Sequence, residues 1–425
     1  MRSRSSVRRH GVVVALGLAL ALLVSGCSAE GRVEPDVPAQ IEGALPADTQ
    51  QQLQSAVEFA MAATGSPGAL VGVWAPWSGQ WVAGVGTSDP ATGAPADPGM
   101  TFRATTLSRA MTCDVLYALA SRGTVALTDP VSTYVASAVN LGDVTLGQLC
   151  DGTSGIGSYR ASVQGMWAAN PGRVWEPREL VSFGLGHRTG VPGQAWVDSD
   201  AGYQLLGLAL ESASGSTMAD LYERYVTDRL GMASTFLPDP PAAEPGGDPL
   251  RGFVSLPGPD GALACATPVD VTRASSSIGF TDSGVVSSLD DAREYTQALA
   301  TGALMPDGMD RFAKQWPVAP DAPTWFTAGG GAYHAGSLVG EFGSVPGYLT
   351  ASFADAATGL TVVVVLNNSA ASERVAAYLA WELAAIASKA APAAGREAVD
   401  AGLPWTPQQY HDAIAQSAVC PLPGA

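Results

Sequence analysis

The folded part of this chain is written in mirror order, with a helix then a hairpin near its start and a hairpin then a helix near its end. Leu53, Val57, Ala60 and Met61 recur at helical spacing within residues 48–64, and Gly65-Ser66-Pro67 cannot continue a helix. Two short strands follow, Ala69 to Trp74 and Gln80 to Val85, joined by a turn at Trp77-Ser78-Gly79. Far downstream, Thr350 to Phe353 and Leu360 to Asn367 pattern as a second hairpin about Asp355-Ala356-Ala357-Thr358-Gly359, and residues 371–389 are helical. The economical solution is an α+β fold in which both ends of the chain build one antiparallel sheet flanked by the terminal helices. The stretch of roughly 105–280, mainly helical with Gly/Pro-rich loops, is then inserted as a second lobe, leaving a cleft between the two.

Composition sets limits on function. With 47% hydrophobic and 14% charged residues the chain can bury a large core. Its formal charge of −17 argues against a nucleic-acid partner. The first residues run basic (Arg8-Arg9-His10), apolar (Val12 to Val24) and small, ending Leu23-Val24-Ser25-Gly26-Cys27. That is the order of a secretory signal, and an apolar run of about 13 residues is short of the ~20 needed to span a bilayer. The ending resembles a bacterial lipobox, which implies a signal at 1–26, a lipid on Cys27 and export to the outer side of the cell membrane. The alternative is an ordinary cleaved signal with Cys27 unmodified. Residues 27–47, with Pro35, Pro38 and Pro46, then read as a tether to a domain at 48–389, and residues 390–425 as an Ala- and Pro-rich tail.

Within that domain the residues resemble the class C serine β-lactamases and the D-alanyl-D-alanine carboxypeptidases and esterases related to them. The resemblance is carried by Phe102-Arg103 before a helix, Leu127-Thr128-Asp129-Pro130-Val131 after it, and Gly152-Thr153-Ser154-Gly155-Ile156. It continues through Pro192-Gly193 with Trp196, Gly202-Tyr203-Gln204-Leu205-Leu206-Gly207, and Leu230-Gly231-Met232. Gly284-Val285-Val286-Ser287-Ser288 with Asp290-Asp291, and Val345-Pro346-Gly347-Tyr348, complete it. The fold implied is that of the serine β-lactamases and penicillin-binding proteins.

The three catalytic motifs of that family are substituted. Where the family has Ser with Lys three residues on, one helical turn apart so that the amine can take the hydroxyl proton, this chain has Thr106-Leu107-Ser108-Arg109. An arginine does not act as a base, because its pKa exceeds about 12. The positions of Tyr-x-Asn hold Asp198 and Asp200, and the Lys/His-x-Gly strand reads Glu341-Phe342-Gly343. His334-Ala335-Gly336 fits that last motif too, seven residues early, if an insertion shifts the register. Ser154 lacks a nucleophile elbow, and His187 and His411 lack metal-ligand spacing, so neither a metal nor a cofactor is expected.

The motif map places Cys113 and Cys150 on neighbouring elements. Of the three connectivities open to Cys113, Cys150, Cys265 and Cys420, it favours Cys113 with Cys150 and Cys265 with Cys420, four free thiols being the alternative. Functionally, the substitutions imply a non-catalytic envelope lipoprotein whose cleft binds a ligand or partner, such as a cell-wall fragment or an envelope protein. The rivals are an active peptidase, esterase or β-lactamase using Thr106 or Ser108 with an atypical base, and a scaffold whose own side chains fill the cleft. With three acids facing Arg109, a pair between Arg109 and Asp198 or Asp200 is expected, and the surplus acids predict a cleft that favours cations.

Overall fold

A computed structural model describes residues 31–136, 141, 142 and 144–422, so the signal segment and Cys27 lie outside the described residues. Helix α1 (Ala47–Thr64) ends at Gly65, whose left-handed φ of 66° closes the helix and turns the chain into the first hairpin, β1 (Gly68–Ala75) and β2 (Gly79–Asp89). The C-terminal half supplies β3 (Phe326–Gly329), β4 (Ala332–Ala335), β5 (Leu338–Val345), β6 (Tyr348–Ala354) and β7 (Thr361–Leu366). With two-residue edge strands at Ala94–Pro95 and Trp316–Pro317 they form one nine-stranded antiparallel sheet among the described residues. The two ends of the chain meet at its centre, where β1 pairs with β7, Ala69 opposite Leu366.

β7 reads Thr-Val-Val-Val-Val-Leu and is buried throughout, because both faces of the sheet are covered. Val362 and Val364 face the layer of α1, α9 (Arg374–Ala387) and α10 (Pro407–Gln416), whereas Val363 and Val365 face the helical lobe. That lobe includes α2 (Leu107–Ser121), α3 (Leu146–Cys150), α4 (Arg160–Ala169), α5 (Pro177–Gly186), α6 (Asp200–Ser214) and the single turn α7 (Phe280–Ser283). Helix α8 (Leu289–Thr301) then returns the chain to the sheet.

Two boundaries differ from the expectation. The stretch read as a tether is docked from Arg32 onward: Val33 N donates to Arg229 O at 2.8 Å, Leu45 N to Gln80 O at 3.0 Å, and Leu45 is buried. Proline-rich composition signals the absence of regular structure, not the absence of contacts. The tail likewise contains α10, packed on α9, with Trp405 Nε1 donating to Trp381 O at 3.0 Å. Among the described residues no helix is long and apolar enough to cross a membrane.

Cys113 is bonded to Cys150, tying α2 to α3, and Cys265 to Cys420, tying the long loop after the lobe to the end of α10's trailing segment. These bonds close loops of 37 and 155 residues, for which chain-entropy arguments give about 3–5 kcal/mol each. Peptide mapping under non-reducing conditions should recover these two pairs, and reduction should lower the melting temperature by several degrees; four alkylatable thiols in the folded protein would contradict the pairing.

Candidate functional site

The site lies where α2 abuts the sheet. Thr106 sits at the N-cap of α2, preceded by Thr105 at φ 51°, a left-handed conformation that a threonine adopts only when its surroundings hold it there. Those surroundings include a hydrogen bond between the Thr105 and Thr350 hydroxyls, which fastens the start of α2 to β6. β5 passes so close that a Cβ on Gly343 would stand 2.4 Å from Thr106 Oγ1, so this strand position requires glycine. The Thr106 hydroxyl is buried and faces the Glu341 carboxyl, with no partner at full hydrogen-bonding geometry among the described residues. Ser108 is the opposite case: its hydroxyl donates to Thr105 O at 2.9 Å, accepts from Val285 N at 3.1 Å, and so serves the backbone.

One turn on from Thr106, Arg109 is enclosed. Its Nη1 contacts Asp198 Oδ1 and its Nε contacts Asp282 Oδ1, both at 2.7 Å, and its guanidinium lies 4.9 Å from the centre of the Tyr203 ring. Burial disfavours the charge on Arg109, but Asp198 and Asp282 outweigh it and hold the group protonated. Asp198 is desolvated on its inner side only, its side chain being 55% exposed, and Arg109 and then Arg160 pull its carboxyl below the usual range.

Glu341 is on β5, paired with Ser352, two residues before Gly343 and on the same face of the strand. Burial favours the protonated form and pushes the carboxyl well above the ordinary range despite the attraction of Arg109 and a contact with the Thr106 hydroxyl, and Oε2 has no partner among the described residues. The register therefore places Glu341, not His334, beside α2. His334 lies one strand further out, opposite Val339 and edge-on to Phe312 at 4.5 Å, and burial with the nearby Arg311 lowers its pKa to about 4.

Asp200 departs from the expectation. It does not touch Arg109; its carboxylate accepts from Tyr159 N at 2.9 Å and Ser158 Oγ at 2.6 Å, at the first turn of α6. Burial, reinforced by Asp282, raises it to about 6. Two groups absent from the motif positions complete the cluster. Asp282, on α7, is fully buried, and its Oδ2 accepts no hydrogen bond from the described residues. Arg160, opening α4, reaches Ser344 Oγ at 3.0 Å, Asp200 at 3.5 Å and Asp282 at 3.8 Å.

The surplus of acid expected from sequence is therefore largely absorbed. A second arginine has joined the cluster, Glu341 favours its neutral form, Asp200 and Asp282 are buried beside Arg160, and Asp198, though 55% exposed, is paired with Arg109. What remains open near Thr106 is a pocket of about 100 Å³, with Asp198, Trp196, Tyr333 and Phe342 among its walls. Chemically it lacks the amine that the Ser-x-x-Lys arrangement uses. Among the described residues no cluster of three His, Cys, Asp or Glu side chains is arranged to hold a metal, and His187 and His411 are engaged with Ser162 and Glu382.

Comparison with known proteins decides the lineage: the family model described as Beta-lactamase matches residues 53–385. The chain belongs to the β-lactamase family. It is 30% identical over 185 residues to the D-alanyl-D-alanine-carboxypeptidase/endopeptidase AmpH of Escherichia coli K12. That match covers 40% of this chain and 47% of AmpH, so it spans about half the length of that relative. The fold is shared with a D-stereospecific amidohydrolase from Streptomyces sp. (TM-score 0.66, 22% identity, 79% of this chain and 98% of that one). It is shared too with the octameric penicillin-binding protein homologue of Pyrococcus abyssi (TM-score 0.63, 22% identity, 78% and 75%). Within this β-lactamase-family domain the relationship is to the class C and DD-peptidase branch.

Two outcomes follow for stability. Because the folded-state pKa of Glu341 is raised, its contribution is full at low pH and is lost as pH rises above the unfolded value. Glu341→Gln should therefore raise the melting temperature more at pH 8 than at pH 5, and equal shifts at both would refute the assignment. Arg109→Met should cost about 3–5 kcal/mol in denaturant unfolding at pH 7, because it leaves Asp282 buried and unpaired.

Proposed function

We propose that the protein is a non-catalytic lipoprotein of the cell envelope that keeps its β-lactamase-family cleft for binding. The observation that carries this reading is Arg109. It occupies the helical position of the family's amine base, is held by Asp198 and Asp282, and is unable to accept the Thr106 proton. Support for the anchor is the run of basic, apolar and small residues ending at Cys27. AmpH is named for D-alanyl-D-alanine peptides and the structural neighbours for D-amino-acid amides and amidohydrolysis, so a cell-wall fragment is a natural ligand to test first.

One observation favours an alternative in which Thr106 is still acylated. The Thr106 hydroxyl faces Glu341 on β5, and a Glu341 carboxylate at that place could take the hydroxyl proton. The same experiment separates the two readings. Purified protein should stay unlabelled by a fluorescent penicillin and a fluorophosphonate probe, and should hydrolyse neither a chromogenic cephalosporin nor an acyl-D-alanyl-D-alanine peptide above the Thr106→Ala baseline. Labelling or turnover that disappears in Thr106→Ala and in Glu341→Gln would establish the alternative.

A further inference from the structure

Beside the Thr106 pocket is a second, larger cleft of about 400 Å³, and Arg160 lines both. Its walls come from both lobes: Val163 and Trp167 from α4, Ile278 from the segment before α7, and Val345 and Pro346 from the end of β5. Among the described residues that line it, Arg160 is the one charged side chain. That is unusual for a chain whose formal charge is −17.

Arg160 is placed to receive a ligand. Its side chain is 39% exposed, whereas the acids behind it, Asp200 and Asp282, are at most 1% exposed and do not line the cleft. A guanidinium carries five N–H groups in a fixed fork. Ser344 Oγ accepts one of them at 3.0 Å, and the charges of Asp200 at 3.5 Å and Asp282 at 3.8 Å hold the fork in place, so little freedom is lost when its exposed N–H groups bind a carboxylate. Around it the lining is mostly apolar and aromatic, with Gln164, Ser283, Ser344 and Ser369 as its polar members, and the Tyr159 hydroxyl is spent on Ile278 O at 2.6 Å. A small polar solute would leave those walls wet; an apolar body would cover them.

The geometry points to an amphipathic carboxylate as the ligand: an acyl or aryl body seated against Val163, Trp167, Ile278 and Val345, with one carboxylate on Arg160. This reverses the cation preference expected from the motif positions alone. It rests on the reading of the domain as a binder, and it moves the ligand from Thr106 to the neighbouring cleft.

Calorimetric titration of the purified protein with N-decanoylglycine, its methyl ester and decyltrimethylammonium, each below its micellar concentration, tests this. The carboxylate should bind, the ester about tenfold or more weakly, and the ammonium not measurably. Ala161→Trp, at an exposed α4 position on the rim, should fill the cleft and abolish binding without entering the core. Arg160→Gln should reduce the carboxylate's affinity to that of the ester and leave the ester's unchanged. Equal binding of all three compounds, no binding of any, or binding that survives Ala161→Trp would overturn the proposal. Glycine released from N-decanoylglycine, followed in the same solutions, would instead overturn the non-catalytic reading while leaving the cleft assignment standing.

Discussion

The buried guanidinium of Arg109 is the junction on which the architecture of this cleft depends. It starts on α2, and through Asp198 and Asp282 it fixes the segment before α6 and the turn α7 in one contact set. An ion pair at this depth gains little over an apolar contact of the same volume, since desolvation offsets the attraction. Its consequence is geometric. With the partners so placed, each charged group is costly to expose singly, and the helices that supply them are held in one arrangement.

Helix α2 is held at its far side by a second buried pair of the same kind. Arg311 contacts Asp114, donates to Gly330 O and Ala110 O, and shares Asp114 with the Tyr295 hydroxyl. The Cys113–Cys150 bond lies between these two charged clusters in sequence and ties α2 to α3. A helix secured in this way keeps its N-terminal residues in strained positions, which accounts for the persistence of Thr105 at a left-handed φ. The scaffold that would support a nucleophile is thus intact around a hydroxyl whose usual basic partner has been replaced by a fixed cation.

Membership of the β-lactamase family, secure from the match over residues 53–385, fixes the scaffold and leaves the chemistry to the side chains in the cleft. The fold is set by the sheet, the two helical layers and their loops, all of which tolerate a changed side chain in the cleft. The reaction depends on a neutral amine within reach of a hydroxyl. The neighbouring cleft at Arg160 depends on neither, and its apolar walls come from residues that also pack the two lobes together.

Local pattern by itself determined the helix and hairpin at each end and the insertion of a helical lobe between them, because period and turn residues are properties of short segments; the three substituted motif positions came from the family resemblance. Thr106 and Arg109, one turn apart, could be placed on one face of α2 without knowing anything else. Only the tertiary structure decided what Arg109 touches. Asp282 lies 173 residues away in a four-residue turn, and Arg160 in a stretch with no motif, so neither gave a signal before the chain was folded. The choice of Glu341 over His334 was a matter of which strand lies against α2, and an insertion can move that register without altering the local pattern. Asp200 was assigned to the cleft by the motif positions but turns to the Ser158 hydroxyl and the Tyr159 N–H, since a carboxylate at the first turn of a helix is drawn to whichever N–H and O–H groups the fold brings there. Residues 32–46 carried the composition of a tether and became part of the domain, because docking depends on the surface a segment meets as well as on its own residues.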